Sequence, residues 1–254
     1  MESALALFSQ PGVFGSFVGT KEHEWLNDMD VRLINKNNMK TDNAIRARKT
    51  LKVRVDPQNP LPASKGKDFK KTMEELMELA GQAPFHYESA EPQRSGELKG
   101  IEPWRFHALD GESCRNLLKA FNADKPQKAP DGIKQMLAAA DGLIITTWLP
   151  ERTRKLSRKF HPNLKNMEHI AATGAAIQNL LLAATSRGIN AYWSSGGIMR
   201  KPKVLEFMGI PSHEILLGAI FFFPDEIPET AQTKTGKNAD KRGEAGDYMD
   251  WIEM

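Results

Sequence analysis

A single domain of alternating helices and strands, of the α/β or α+β class, is the fold the sequence predicts, and three observations predict it. Two apolar runs, "ADGLIITTWLP" (140–150) and "EILLGAIFFFP" (214–224), are rich in β-branched or aromatic residues and bounded by turn signals, as core strands are. Between them lies "NMEHIAATGAAIQNLLLAATSRG" (166–188), which carries no charge from Ile170 to Thr185 and reads as a long buried helix. Helical and extended patterns alternate along the chain, without an internal repeat.

The elements follow in order. Residues 1–40, apolar at first and then punctuated by Gly and Pro, read as an N-terminal extension that wraps or docks rather than folding alone; the domain proper is expected over 41–254. "VDPQNPLPASKGKD" (55–68) is a Pro-rich connection. "FKKTMEELMELAGQAP" places Phe69, Met73, Leu76, Met77 and either Leu79 or Ala80 on one helical face, with Pro84 as the stop. "YESAEPQRSGELKG" (87–100) reads as a mobile polar loop, "PWRFHALD" (103–110) as a short strand and "GESCRNLLKAFN" as the helix after it. The uncharged helix is apolar all round, which predicts cover on every side, and Gly188 suits its C-terminal cap. A Gly-rich turn follows "INAYWSSGG", "KPKVLEFMGIP" starts a helix at a proline, and the polar tail ends in Tyr248, Met249, Trp251 and Ile252.

The totals restrict function. In 254 residues, 40% hydrophobic and 26% charged, the composition is that of an ordinary soluble globular protein. The single cysteine, Cys114, excludes an internal disulfide and fits a reducing compartment. No apolar run reaches membrane-helix length and the first residues do not form a secretory signal, so the expected location is cytoplasmic, with no membrane partner. Residues 31–72 carry twelve Lys/Arg against three Asp/Glu on an otherwise acidic chain. Such a segment meets an anion or is a solvated face, and composition does not separate the two. Aromatics are not interleaved among those cations, which argues against a nucleic-acid partner. Paired metal ligands, a G-x-G-x-x-G fingerprint, a Walker loop and a nucleophile elbow are all lacking.

Four stretches combine, each with an ordinary alternative. "RKTLK" (48–52) offers a guanidinium fork, a hydroxyl and point charges, the donors a terminal phosphate requires, or is a solvated face. In "APFHYES…IEPWRF" (83–106), Trp104 reads as a core aromatic and His86 as a structural histidine. "YWSSGG" (192–197) lets backbone N–H groups approach a flat ligand, or is a tight turn. "KR" (241–242) interrupts a tail that is otherwise a candidate for disorder.

In this order, with the small-residue helix between the second and third, the four stretches resemble the nitroreductase superfamily of flavoproteins, its smaller members most. The likeness spans 44–252. "IRARKTLKV" is similar to the family's opening basic stretch, "ELAGQAPFH" with "EPWRFHALDG" to its A-P and Q-P-W-x-F segments, and "AAIQNLLLAATSRGINAYWSSGGI" with "LEFMGIPSHEILLGAIFFFP" to its central helix, Gly/Trp turn and closing strand. Three departures stand out: Glu102 where the family has Gln, a longer stretch between Pro84 and Pro103, and "FFFPD" in place of a small residue and Gly before the proline.

The resemblance implies a mixed, mostly antiparallel sheet flanked by helices, in a homodimer whose tails embrace. It implies FMN held non-covalently between subunits. Arg48, Lys49, Thr50 and, from the tail, Lys241 or Arg242 would hold the phosphate, with Lys52 near the ring's N1–O2 edge. Pro84, Phe85 and His86 would line one side of the ring, and Ser194, Ser195, Gly196 and Gly197 would face N5 and O4. The implied activity is ping-pong transfer of hydride from NADH or NADPH, through flavin N5, to a nitroaromatic, quinone or similar flat acceptor. No protein group is then needed as a catalytic residue, and no metal. Alternatives are a specialised member (a dehalogenase, a flavin-cleaving or a heterocycle-oxidising enzyme), a non-catalytic flavin-binding protein, or a nucleic-acid binder using residues 31–72.

Overall fold

The computed structural model describes residues 40–63, 67–94, 97–151 and 161–254. The expected N-terminal extension therefore lies outside the described residues, apart from Lys40. Four strands form one sheet in the order β2 (Trp104–Asp110), β3 (Gly142–Trp148), β5 (Ile215–Phe223), β4 (Asn190–Ser194). A separate ribbon pairs β1 (Leu51–Arg54) with β6 (Gln232–Thr235). Every pairing among the described strands is antiparallel, so the expected mixture of directions is absent from them.

Side-chain alternation explains why the sheet is covered on both faces. Leu143, Ile145, Phe221 and Phe223 pack into one core with Leu117 and Phe121 of α3 (Gly111–Asn122) and Met136 and Leu137 of α4 (Asp131–Ala139). Ile144, Ile220 and Phe222 point the other way, onto Met73 and Leu76 of α2 (Lys67–Ala80) and Ile177 and Leu180 of α5 (Leu164–Ser186). The run of three phenylalanines is thus divided between two cores. β3 is buried at every position, as a strand paired on both edges and covered on both faces must be.

Local chemistry fixes the ends. The Asp110 carboxylate accepts from the Ser113 amide at 2.8 Å to cap α3, and Asn163 caps α5 through the Asn166 amide at 2.8 Å. Gly188, at φ +72°, ends α5 as expected. α6 (Pro202–Phe207) begins at its proline. On α2 the fifth residue of the apolar face is Ala80, which is fully buried; Leu79 is exposed.

Three expectations change. The loop after residue 87 is tied down: Ser89 donates through N–H and Oγ to Ile101 O, Gln93 Nε2 donates to Pro150 O at 2.7 Å, and Arg105 reaches Gly100 O. Its polar side chains thus satisfy backbone carbonyls rather than water alone. Second, the described residues do not cover α5 on all sides. Leu164, Met167 and Ala171, spaced three or four apart, and Gln178, seven positions further on, form an exposed stripe, and a Cβ built on the intervening Gly174 meets nothing within 4 Å. Third, α4 and the helix over the first basic residues, α1 (Thr41–Ala47), form where no helix is read from sequence.

Candidate functional site

The basic stretch straddles a change of structure. α1 ends at Arg48, whose N–H donates to Ala44 O at 2.9 Å, and β1 begins three residues later. Arg48 and Thr50 are half-buried, and both line a recess of about 480 Å³. Its other walls are Ile45 of α1, Gln178 and Leu181 of α5, Trp193 of β4 and Arg242 of the tail. Gln178 and Leu181 lie three apart and share one helix face. Arg242 arrives because β6 pairs back onto β1 and hands the chain to a short 3-10 turn, Ala239–Lys241. Gly236 also contributes, since a Cβ there would lie 3.2 Å from the Thr50 Cβ.

Trp193 owes its position to a missing side chain. A Cβ on Gly218 would come within 2.3 Å of the indole Nε1 and 2.8 Å of Cδ1, so the ring lies on β5 only because residue 218 is glycine. Beyond β4, Gly196 has φ +94° and Gly197 φ +50°, the left-handed region where glycine is unstrained. A Cβ on Gly196 would also strike Leu216 Cδ2 at 2.3 Å. Arg200 fastens this turn, donating to the carbonyls of Ser195, Leu216 and Leu217. Within it the Gly196 N–H already donates to Ser194 Oγ at 3.2 Å. Ser194 is buried, whereas Ser195 and Gly197 are exposed.

Of the residues read from sequence, the fold brings Arg48, Thr50 and Arg242 together on the recess. Lys49 and Lys241 lie next to them in the chain but off the wall. Lys52 directs its ammonium over the Tyr192 ring, 4.5 Å from the centroid. Pro84, Phe85 and His86 stand elsewhere. Phe85 packs edge-on against Trp104 at 5.5 Å, and His86 Nδ1 lies 3.2 Å from Glu168 Oε2 on α5. At a rise of about 1.5 Å per residue, Glu168 sits about 15 Å along the helix from Gln178. Ile45, Gln178, Leu181 and Trp193 are wall residues that sequence reasoning missed. The amide pair Gln178–Asn179 inside an otherwise nearly apolar stretch was the available signal.

A buried carboxylate cluster lies off the walls of the recess. Glu214 is buried and accepts from His107 Nε2 at 2.7 Å and from Thr147 Oγ1. Burial pushes its carboxyl up, but these two hydrogen bonds and the nearby histidines leave it below its ordinary value. Burial pushes the Cys114 thiol up to about 12, which makes it inert as a nucleophile. Among the described residues no group of three or more His, Cys, Asp or Glu could hold a metal ion, and no helix is long and apolar enough to cross a membrane.

What the recess offers is two permanent cations and a hydroxyl beside an amide, an indole and aliphatic carbons. That donor set suits a phosphate ester attached to a flat, largely apolar body. On an antiparallel α+β scaffold, the recess is a candidate site for a phosphorylated planar ligand. Comparison with known proteins narrows this: the model of the nitroreductase family matches residues 69–222, and the chain belongs to that family. It is 26% identical over 194 residues to YfhC of Bacillus subtilis (strain 168), a protein named for an NAD(P)H nitroreductase activity; the match covers 73% of this chain and 84% of YfhC. Among solved structures, a nitroreductase-like family protein from Bacillus cereus superposes with a TM-score of 0.57 at 22% identity, over 85% of this chain and 98% of that one. A Desulfovibrio desulfuricans protein described as a nitroreductase and solved in complex with FMN superposes with a TM-score of 0.51 at 18% identity, over 85% of this chain and 99% of that one.

Proposed function

We propose that the protein is an FMN-dependent oxidoreductase that takes hydride from NADH or NADPH and delivers it to a nitroaromatic, quinone or similar flat acceptor in a ping-pong cycle. One observation carries the reading. Arg48 and Thr50 from the α1–β1 junction and Arg242 from the tail meet, beside Trp193, on one recess. Family membership supports it, as do the FMN bound to the Desulfovibrio relative and the activity for which YfhC is named.

Bound FMN would supply the two-electron chemistry, so the chain's own residues bind, orient and exclude water. Arg48 and Arg242 offer the phosphate their guanidinium forks, and the Thr50 hydroxyl adds a donor. Leu181 and Trp193 give the organic body apolar contact, and Gln178 offers both a donor and an acceptor. Lys52 is assigned, by likeness to the family, to the N1–O2 edge of the ring. Pro84, Phe85 and His86 lie off the recess of their own chain, and we assign them to the ring side of a site that a second copy completes. Two exposed apolar features support that dimer: the stripe Leu164, Met167 and Ala171 on α5, and the tail residues Tyr248, Trp251 and Ile252.

The test is Arg48→Ala. A charge-assisted hydrogen bond contributes about 1.5–3 kcal/mol, so FMN should bind roughly 10- to 150-fold more weakly, with the far-UV circular dichroism unchanged. Unaltered FMN affinity would remove the phosphate assignment.

A further inference from the structure

Among the described residues, nothing answers the charge of Arg54, the last residue of β1. The side chain is half-buried, and its Nε is enclosed without a hydrogen-bond acceptor. With those residues it makes neither a hydrogen bond nor an ion pair. Arg115 and Arg187 also have one enclosed, unpartnered nitrogen, but each is tied elsewhere, Arg115 to three carbonyls and Arg187 to Glu75. A guanidinium that gives up hydration for no partner costs more than a neutral donor would.

Its setting adds positive potential. Arg54 stands on the first turn of α4, where a Cβ on Gly132 would lie 3.2 Å from Nη2 and 3.6 Å from Cζ, so the absent side chain leaves the guanidinium its room. That turn is the positive end of the helix. Asp131, in the same turn, is exposed and does not pair with Arg54. Arg54 also lines a recess of about 300 Å³, together with Gln135 of α4, Thr230, and Gln232, its opposite number in the ribbon. These supply two carboxamides and a hydroxyl as further donors. The carboxylate on the wall, Asp56, is spent on its own turn: Oδ1 accepts from the Gln58 N–H at 3.0 Å and Oδ2 from Asn59 Nδ2 at 2.7 Å. No wall residue is shared with the recess of Arg48 and Thr50, and Thr50 is about 13 Å from Arg54 along an extended chain.

We propose that this second recess binds a phosphate group, with the Arg54 guanidinium gripping two oxygens and Gln135, Thr230 and Gln232 donating to the rest. A carboxylate has only two oxygens, too few for donors arriving from four side chains. The recess is at the small end of ligand sites, which suits the free ion or a small ester. Arg54 and Gln232 belong to the ribbon and Gln135 to α4, so the ligand ties the two together. The proposal stands apart from the FMN reading.

The test is calorimetric titration of FMN-saturated protein with inorganic phosphate, glycerol 3-phosphate or acetate, at an ionic strength fixed with chloride. The set is repeated in Arg48→Ala, which tells this site from the first recess. Parent and Arg48→Ala should both bind about one phosphate per chain here, and acetate should bind more weakly. Arg54→Gln should weaken phosphate binding about tenfold or more, through loss of charge-assisted hydrogen bonds. Gly132→Ala, whose methyl crowds the guanidinium, should weaken it by a smaller factor, with the far-UV circular dichroism of both variants unchanged. Tighter binding of glycerol 3-phosphate than of the free ion assigns the site to an ester, and equal binding assigns it to the ion. Parent-like affinity in Arg54→Gln, or no phosphate binding in Arg48→Ala, overturns the site. Acetate binding as tight as that of phosphate overturns the choice of ligand. A protein that shows this pattern but takes up no FMN defeats the FMN reading alone.

Discussion

Replacing Gly218 by alanine tests whether the sheet sets the shape of the recess. The added Cβ would lie 2.3 Å from Trp193 Nε1 and 2.8 Å from Cδ1, with Ile220 Cδ1 at 3.2 Å. Ordinary contact needs more than 3 Å, so a rigid indole must retreat by about 1 Å or rotate out, because the β5 backbone is held by β3 and β4. Overpacking of this kind costs about 1–3 kcal/mol. For a chain of this size that is roughly 2–6 °C in thermal midpoint. Trp193 faces the recess, so FMN affinity should fall together with stability. The assay is a denaturation curve with tryptophan emission, followed by flavin titration. The double variant Gly218→Ala/Trp193→Val removes the offending ring and should recover most of the stability lost by Gly218→Ala. A parent-like midpoint in the single variant, or losses that simply add in the double, would refute the argument.

Further predictions concern the framework. Glu214 has a carboxyl held below its ordinary 4.5, so the unfolded chain binds more protons than the folded one on the acid side. Its contribution is fully present above pH 4.5 and is lost as pH falls through the depressed folded value; Glu214→Gln should therefore flatten the acid limb of a stability–pH curve, and an unchanged limb contradicts the hydrogen-bond assignment. His169 is buried, with Nδ1 2.8 Å from Leu149 O, and burial lowers its pKa below 6.5. The same sign follows: stability is full above pH 6.5 and declines below it, and His169→Gln should remove that part of the slope, as urea midpoints across the range will check. Arg115 donates to the carbonyls of Leu61, Leu137 and Ala140, so Arg115→Met should cost about 3 kcal/mol or more by leaving them without their charged donor, measured by urea unfolding.

How far the sequence discloses this molecule depends on how local each feature is. β3 and β5 are legible because "GLIITTW" and "ILLGAIFFF" carry their own signal, and α5 because its run is long. β1 and β6 have four residues each and exist through pairing across most of the chain, which no short window contains. α1 is hidden because its sequence, "TDNAIRA", runs straight into the cations that dominate that stretch. The exposed stripe of α5 escapes a composition argument: small apolar residues look alike whether they face a sheet or lie open. The same division holds at the site. Arg48, Thr50 and Arg242 are recognisable because charge and family likeness mark them. Gln178 and Trp193 join them only through the packing of α5 against β4, and Trp193 only because residue 218 lacks a side chain.

The central claim is that the recess bounded by Arg48, Thr50, Trp193 and Arg242 holds FMN. Its most direct test is the flavin released by denaturing the purified protein, quantified against chain concentration after incubation with excess FMN and desalting. The account predicts roughly one FMN per chain, with its absorption bleached by NADH or NADPH in the absence of oxygen and restored by a flat acceptor. A colourless protein that retains no flavin after that incubation would contradict it.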